Sequence, residues 1–211
     1  TPSYYTFTSK DGALDFIKEF NHEFVIKLDS LSGGKGVFLP YSRQNAIEMI
    51  EVIYRTNTTK IIIIEERIFG TECTVMGFCN GEDVYLMPQI MDYKRIDDND
   101  KGGNTGGMGS IGPVNVLNSD DMSVIKLSML KVVKELNFKG VLYAGIMKTK
   151  NDCFILEFNC RFGDPETQVA LNLLDSDLYT IMYNCVNGLE CDVKWKNKYC
   201  ANVVLSHIDY P

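Results

Sequence analysis

The chain has no cysteine pair at metal-finger spacing, no apolar run of membrane-spanning length, no surplus of positive charge and no internal repeat. Each absence excludes something. The 7 cysteines (Cys73, Cys79, Cys153, Cys160, Cys185, Cys191, Cys200) are odd in number and form no Cys-x-x-Cys pair, which disfavours both a zinc framework and a disulfide scaffold. Most lie in apolar stretches such as Asp152-Cys153-Phe154-Ile155, where a free thiol acts as a small hydrophobe. A reducing, cytoplasmic compartment is therefore expected. No stretch approaches the roughly 20 apolar residues of a membrane-spanning helix, and no signal-peptide pattern is present, so no membrane partner is expected. With 28 acidic against 21 basic residues, the net charge of −7 argues against a general nucleic-acid surface. A local basic pocket stays open. A phosphate-binding GxxxxGK[ST] loop is also missing.

What is present is ordinary in bulk and specific in detail. At 211 residues the chain can bury a full core, as one large domain or two small ones. Helices and strands alternate. Ser9 offers a helix start before Ala13, Phe16, Ile17 and Phe20, and Ser42 another before Ala46, Met49, Ile50 and Ile53. Phe24–Leu28 and Val37–Leu39 read as strands around the tight stretch Ser32-Gly33-Gly34-Lys35-Gly36. The apolar run from Lys60 to Glu66 reads as a strand buried on both faces. Strands near Cys73–Cys79 and Val84–Met87 flank the turn Asn80-Gly81. Residues 91–113 are polar and glycine-rich. Ser119 is expected to cap a long amphipathic helix carrying Ile125, Met129 and Val133, before a hairpin of Val141–Met147 and Cys153–Phe158. One helix from about Glu166 to Asn187 and a last strand over Tyr199–Ser206 complete an α+β plan with largely antiparallel pairing.

Four places carry chemistry. In the first, Phe154, Leu156 and Phe158 alternate with Ile155, Glu157 and Asn159, which predicts one apolar strand face and one that turns polar. Glu157 and Asn159 would give two hard oxygen ligands for Mg²⁺, and Arg161 beyond them a bidentate grip on phosphate or carboxylate. A solvated strand face explains the same pattern about as well. In the second, Lys27 interrupts an apolar strand ahead of Gly33-Gly34-Lys35-Gly36, a loop whose backbone N–H groups could cradle phosphate or simply turn a hairpin. The third is a buried strand ending at Glu65-Glu66 and leading through Ile68 to Glu72; it suits a nucleotide-binding hinge, although acidic pairs more often face water. In the fourth, Asp92-Tyr93-Lys94-Arg95 precedes Asn104-Thr105-Gly106-Gly107-Met108-Gly109, either a linker or an ordered anion-binding loop.

Together these segments resemble the ATP-grasp portion of the glycinamide ribonucleotide synthetases, also called phosphoribosylamine–glycine ligases. The most specific are Asn104–Gly109, Gly140-Val141-Leu142-Tyr143-Ala144-Gly145, and Glu157-Phe158-Asn159-Cys160-Arg161-Phe162-Gly163-Asp164-Pro165-Glu166-Thr167-Gln168. The resemblance implies an ATP-grasp fold: a lid over 1–64, a mostly antiparallel core over 65–190, and the start of a C-terminal domain over 191–211. It implies ATP held between lid and core. Lys27 would touch the phosphates under Gly33, Gly34, Lys35 and Gly36; Glu65, Glu66 and Ile68 would meet the adenine, and Glu72 the ribose. Glu157 and Asn159 would hold Mg²⁺ or Mn²⁺. Asp92, Lys94, Arg95, Asn104, Thr105, Gly106, Gly107, Met108, Gly109, Arg161, Asp164, Pro165 and Glu166 would line the side that takes glycine and 5-phosphoribosylamine, with Lys27, Asp92, Lys94 and Arg161 catalytic. The implied chemistry is phosphorylation of glycine by ATP, then attack of the amine on glycyl phosphate.

The sequence departs from the family in Leu28, Ser30, Ser32, Gly33 and Thr71, which leaves Lys27, Gly34, Lys35 and Gly36 in place. The resemblance also implies N- and C-terminal domains, an upstream nucleotide-contacting lysine and a parent that can carry fused purine-synthesis activities, so a central fragment that binds ATP without completing the reaction is expected. Another purine-pathway ATP-grasp ligase and a non-catalytic nucleotide-binding module are the alternatives.

Overall fold

The computed structural model describes residues 1–30, 36–56, 61–99 and 101–210. These form two compact units, Thr1–Ile68 and Phe69–Pro211. Every strand pairing in both is antiparallel.

The first unit runs β1 (Tyr4–Phe7), α1 (Lys10–Glu19), β2 (Phe24–Leu28), β3 (Val37–Phe38), α2 (Arg43–Thr56) and β4 (Ile62–Glu66), with sheet order β1-β4-β2-β3. Ser9 starts α1 by accepting the Gly12 N–H at 3.3 Å, and Ser42 starts α2 by accepting that of Asn45 at 3.1 Å. Ile26, Ile62 and Ile64 pack against Ala13, Ile17, Ala46 and Ile50 of the helices. Strand β4 is interior, between β1 and β2, which explains its nearly continuous apolar run. The sequence did not announce β1: it is four residues long and mostly exposed, so it shows no burial period. The expected boundary between residues 64 and 65 falls inside β4, where Glu65 pairs with both Tyr4 and Val25; the division lies after Ile68.

The second unit contains β5 (Thr71–Asn80), β6 (Val84–Leu86), β7 (Met91–Asp97), β8 (Lys101–Gly112), α3 (Ser119–Leu136), β9 (Lys139–Lys148), β10 (Cys153–Asn159), α4 (Glu166–Leu173), α5 (Leu178–Asn187) and β11 (Cys200–Val203). Two sheets result, β10-β9-β5-β6 and β11-β8-β7. Helix α3 covers one face of the larger sheet, packing Ile125, Met129 and Val133 against Val75, Leu142 and Ala144. Helices α4 and α5 cover part of the other, where Val169, Leu173 and Ile181 meet Met76, Phe78 and Val141.

Three local expectations need correcting. Asn104–Gly109 is part of strand β8, paired with β7 and β11, rather than a loop. The expected helix from Glu166 to Asn187 is two helices, because Asp177 caps a new start by accepting the Thr180 N–H at 2.8 Å and Leu174 bridges to Trp195. The cap of α3 is Asn118, in a reciprocal capping box with Asp121, and Ser119 is its first helical residue. The segment from 191 onward groups with the second unit, with β11 pairing β8 from Cys200 opposite Gly112 to Val203 opposite Gly109.

Candidate functional site

In the first unit the chemistry sits on the sheet face away from the helices. Ile26 and Ile64 point into the helix-packed core, so Lys27 and Glu65, next along their strands, point the other way. Their register is diagonal, Lys27 opposite Ile63 and Glu65 opposite Val25. They meet in an ion pair at 2.7 Å, with side-chain exposures of 21% and 8%. An acid at the end of an apolar strand is thus matched by a lysine from its neighbour. Glu66 donates its N–H to Ser3 at 2.9 Å, and Ile68 closes the unit half-buried. Gly36 is buried and accepts the Leu28 N–H at 2.9 Å. Gly33, Gly34 and Lys35 lie outside the described residues.

In the second unit the candidate residues gather on one face of the larger sheet. A β-bulge in β10 shifts its register between Ile155 and Glu157: Ile155 lies opposite Ile146, but Glu157 lies opposite Gly145 and Asn159 opposite Tyr143. The simple alternation expected from the sequence therefore fails at Leu156. Ile155 packs with the cluster under α3, while Glu157 and Asn159 turn to the opposite face. That face also carries Glu72, Thr74 and Met76 of β5, since Cys73 and Val75 point to α3. At one end it is apolar and covered by α4 and α5; at the other it is polar. The Asn159 amide donates to Glu157 Oε1 at 2.9 Å. Strand β10 ends at Asn159, so Arg161 lies just past it, exposed and donating to the Phe162 carbonyl at 2.8 Å.

Strand β7 adds Asp92 and Lys94. Lys94 pairs with the Glu72 carboxylate and lies 3.8 Å from Asp92 Oδ2. Below them Glu166 is 2% exposed, accepts the Thr74 hydroxyl at 2.8 Å, and Thr74 Oγ1 is 2.9 Å from the Tyr143 hydroxyl. Asp92 pairs across strands with Ser110, whose hydroxyl donates to the Pro165 carbonyl at 2.7 Å and so ties β8 to the start of α4. Burial, with Glu166 adding like charge, pushes the Asp92 carboxyl up to about 7, against the opposing pull of Lys94. Burial would lower the Lys94 ammonium, but Glu72, Asp92 and Glu157 outweigh it and its pKa is raised. Burial foremost, then Glu166, also raises Tyr143.

Of the remaining expected residues, some share this region and some serve the scaffold. Gly106, Gly107 and Asp164 line a shallow groove with His207 and Tyr210. Gly107 has φ +129 and a Cβ there would lie 2.4 Å from Pro165 Cδ, so glycine is required for the approach of β8 to Asp164-Pro165. Arg95 donates to the Gly102 carbonyl at 2.8 Å and Thr105 to that of Lys94 at 2.9 Å, both within the hairpin. Met108 accepts the Val204 N–H at 3.0 Å, and exposed Asn104 pairs in register with Arg95. Sequence reasoning missed Thr74, Tyr143 and Ser110 as parts of the cluster. A lone threonine between Cys73 and Val75 was the available signal.

Glu157 and Asn159 fit a hard divalent cation in donor type and spacing. Among the described residues no group of three acids, histidines or cysteines forms a protein cage, which suits an ion that keeps water and phosphate ligands.

Residues 1–167 match the family described as phosphoribosylglycinamide synthetase, ATP-grasp (A) domain. The chain is 38% identical over 223 residues to the phosphoribosylamine–glycine ligase of Caldanaerobacter subterraneus, covering 100% of this chain and 54% of that protein. It is 37% identical over 226 residues to the trifunctional purine biosynthetic protein adenosine-3 of Chironomus tentans, covering 100% of this chain and 16% of that one. The crystal structure of a phosphoribosylamine–glycine ligase from Thermotoga maritima superposes with a TM-score of 0.91 at 32% identity, over 100% of this chain and 56% of that chain. The biotin carboxylase of Campylobacter jejuni shares the fold, with a TM-score of 0.73 at 14% identity. The chain thus spans about half the length of the single-activity relatives and less of the multifunctional ones.

Proposed function

Since the chain belongs to the phosphoribosylglycinamide synthetase ATP-grasp family, we propose that it supplies the ATP-using part of a ligase that joins glycine to 5-phosphoribosylamine. The product is glycinamide ribonucleotide, with ADP and phosphate, and the setting is purine synthesis in the cytoplasm. The observation that carries the reading is the β10 bulge, which turns Glu157 and Asn159 together onto the polar face that also holds Lys94 and Glu72.

The reaction has two stages. The glycine carboxylate attacks the γ-phosphorus of ATP, giving glycyl phosphate and ADP; the amine nitrogen then attacks the acyl carbon, phosphate leaves and one proton is released. Phosphoryl transfer asks for positioning and charge neutralisation more than for a strong base. Lys27, held by Glu65, presents an ammonium for the α- and β-phosphates, and Gly33, Gly34, Lys35 and Gly36 are assigned to the same phosphates. Glu65, Glu66, the Ile68 backbone and Glu72 are assigned to the nucleoside. A Mg²⁺ or Mn²⁺ ion held by Glu157 and Asn159 would supply charge neutralisation on the phosphoryl oxygens. Arg161 is assigned to grip the carboxylate as it becomes an acyl phosphate. Asp92, Lys94, Arg95, the Asn104–Gly109 segment and the Asp164-Pro165-Glu166 corner line the glycine and amine side.

Calorimetric titration of this chain with ATP, with and without Mg²⁺, tests the reading. Magnesium-dependent binding is expected, and Glu157→Ala should weaken it tenfold or more, about 1.4 kcal/mol. Equal affinity for ATP with and without Mg²⁺, and in Glu157→Ala, would remove the metal assignment. Absence of ATP binding would count against the nucleotide site as assigned.

A further inference from the structure

Helix α5 ends in a turn that brings two thiols together. Ile181 and Cys185, about one turn apart, are its buried residues. Gly188 then takes the left-handed conformation, with φ 70, and ends the helix. Leu189 donates its N–H to the Asn184 carbonyl at 2.8 Å, and the Asn184 amide donates to the Glu190 carbonyl at 3.0 Å. The chain so held doubles back, and Cys191 returns with its Sγ 3.6 Å from that of Cys185. This is the one thiol–thiol contact among the described residues. Both cysteines belong to the apolar cluster of α4 and α5 rather than to the polar end of that sheet face.

Packing alone does not call for two thiols, since other small apolar side chains fill such places. A structural metal ion asks for more ligands, and among the described residues no group of three acids, histidines or cysteines is placed to hold one. A disulfide asks only that the sulfurs close to about 2 Å, and the turn already holds them near. Buried thiols are ordinarily inert, and burial foremost raises both, Cys185 to about 12. At Cys191 a hydrogen bond from Cys185 works the other way. Cys191 is also nearer to solvent: it is 6% exposed against 2% for Cys185, and exposed Glu190 and Asp192 flank it.

We propose that Cys185 and Cys191 form a reversible modification site, where a hydroperoxide converts the pair to a disulfide that ties the end of α5 to the segment leading to Trp195. The Cys191 sulfur attacks a peroxide oxygen; the O–O bond breaks, and hydroxide leaves with the thiol proton as water. The Cys185 sulfur then attacks the sulfenic sulfur of Cys191. An S–S bond forms, the S–O bond breaks, and a second water carries off the Cys185 proton. Two thiols lose two electrons and one hydrogen peroxide gains them. Burial keeps the first step slow, and the neighbouring thiol captures the sulfenic acid before a second oxidation. The closed ring restricts the unfolded chain, so oxidation stabilises the second unit.

The test treats the whole folded chain with hydrogen peroxide, removes the oxidant, then unfolds the chain and blocks its free thiols with iodoacetamide. Glu190 lies between the two cysteines, so cleavage after glutamate leaves two peptides joined only by the disulfide. A linked Cys185–Cys191 pair, absent after dithiothreitol, supports the proposal, as does a higher urea midpoint for Trp195 fluorescence in the oxidised chain. Alkyl groups on both cysteines while exposed Cys160 is oxidised would overturn it. So would linkage to another cysteine, or linkage that forms only when peroxide is added in urea. A disulfide that leaves the Trp195 midpoint unmoved removes the stabilising tie. Cys191→Ala keeps a small apolar side chain and should lose the rise on peroxide treatment; the same rise in that variant would assign it to another oxidation. Should the variant fail to fold, the peptide map of the unaltered chain still decides.

Discussion

Asp92 shows how one side chain can set a pH dependence. Its folded value of about 7 lies well above the roughly 3.9 of an exposed aspartate. Between those two values the folded chain holds the proton that the unfolded chain has lost. Stability from this group is therefore full below about pH 4 and is lost as pH rises through about 7. Asp92→Asn removes the buried charge while Lys94 keeps Glu72 as its partner. The variant should be more stable than the parent at pH 8, with the advantage shrinking toward pH 5. Urea midpoints of both proteins at pH 5, 6, 7 and 8 measure this; a constant difference, or one that grows toward acid, would contradict the raised value. In the sequence Asp92 stands two residues before Lys94, in a stretch that reads as a linker or an anion-binding loop. Burial under α4 and the approach of Glu166 come from residues some seventy positions away, which no local spacing encodes.

Elements whose ends are set by neighbouring residues were the legible ones. Strand β2 and the starts of α1 and α2 stand where the apolar period and the serine caps put them. Three others depended on contacts the pattern does not carry. The bulge at Leu156 adds one residue to an otherwise regular alternation, so Glu157 reads as sharing a face with Ile155 and does not. The glycine-rich stretch around Asn104 reads as a loop because its strand character comes from β7 and β11 on either side. At α3, Asn118 and Ser119 are both good caps, and the choice falls to Asn118 because Asp121 stands at the third helical position to close the box. Asp121 also takes Lys148 of β9 at 2.9 Å, so the cap pins the helix start to the sheet. Asn118→Ala should cost about 1 kcal/mol of stability, while Ser119→Ala should fall within about 0.5 kcal/mol of the parent. Denaturant midpoints of the two variants decide which residue caps, and a larger loss for Ser119→Ala would reverse the assignment.

At the scale of the whole chain, each unit has a core of its own. The first packs about Ile17, Ile26, Ile50 and Ile64; the second has two clusters, on either face of its larger sheet. The smaller unit buries a smaller fraction of its chain and should unfold first. Trp195 is the chain's 1 tryptophan and packs against the α4–α5 cluster of the second unit, so its fluorescence reports that unit alone. Far-UV circular dichroism reports both. Ile50 is 0% exposed in the core of the first unit, and Ile50→Ala removes buried carbon and leaves a cavity, at a cost of about 2–5 kcal/mol. Urea unfolding of that variant should show an earlier transition by circular dichroism, with the Trp195 midpoint unmoved. The reciprocal change, Val169→Ala in the α4 cluster, should move the Trp195 midpoint and leave the first transition in place. If Ile50→Ala shifts both signals together, the two units unfold as one cooperative body.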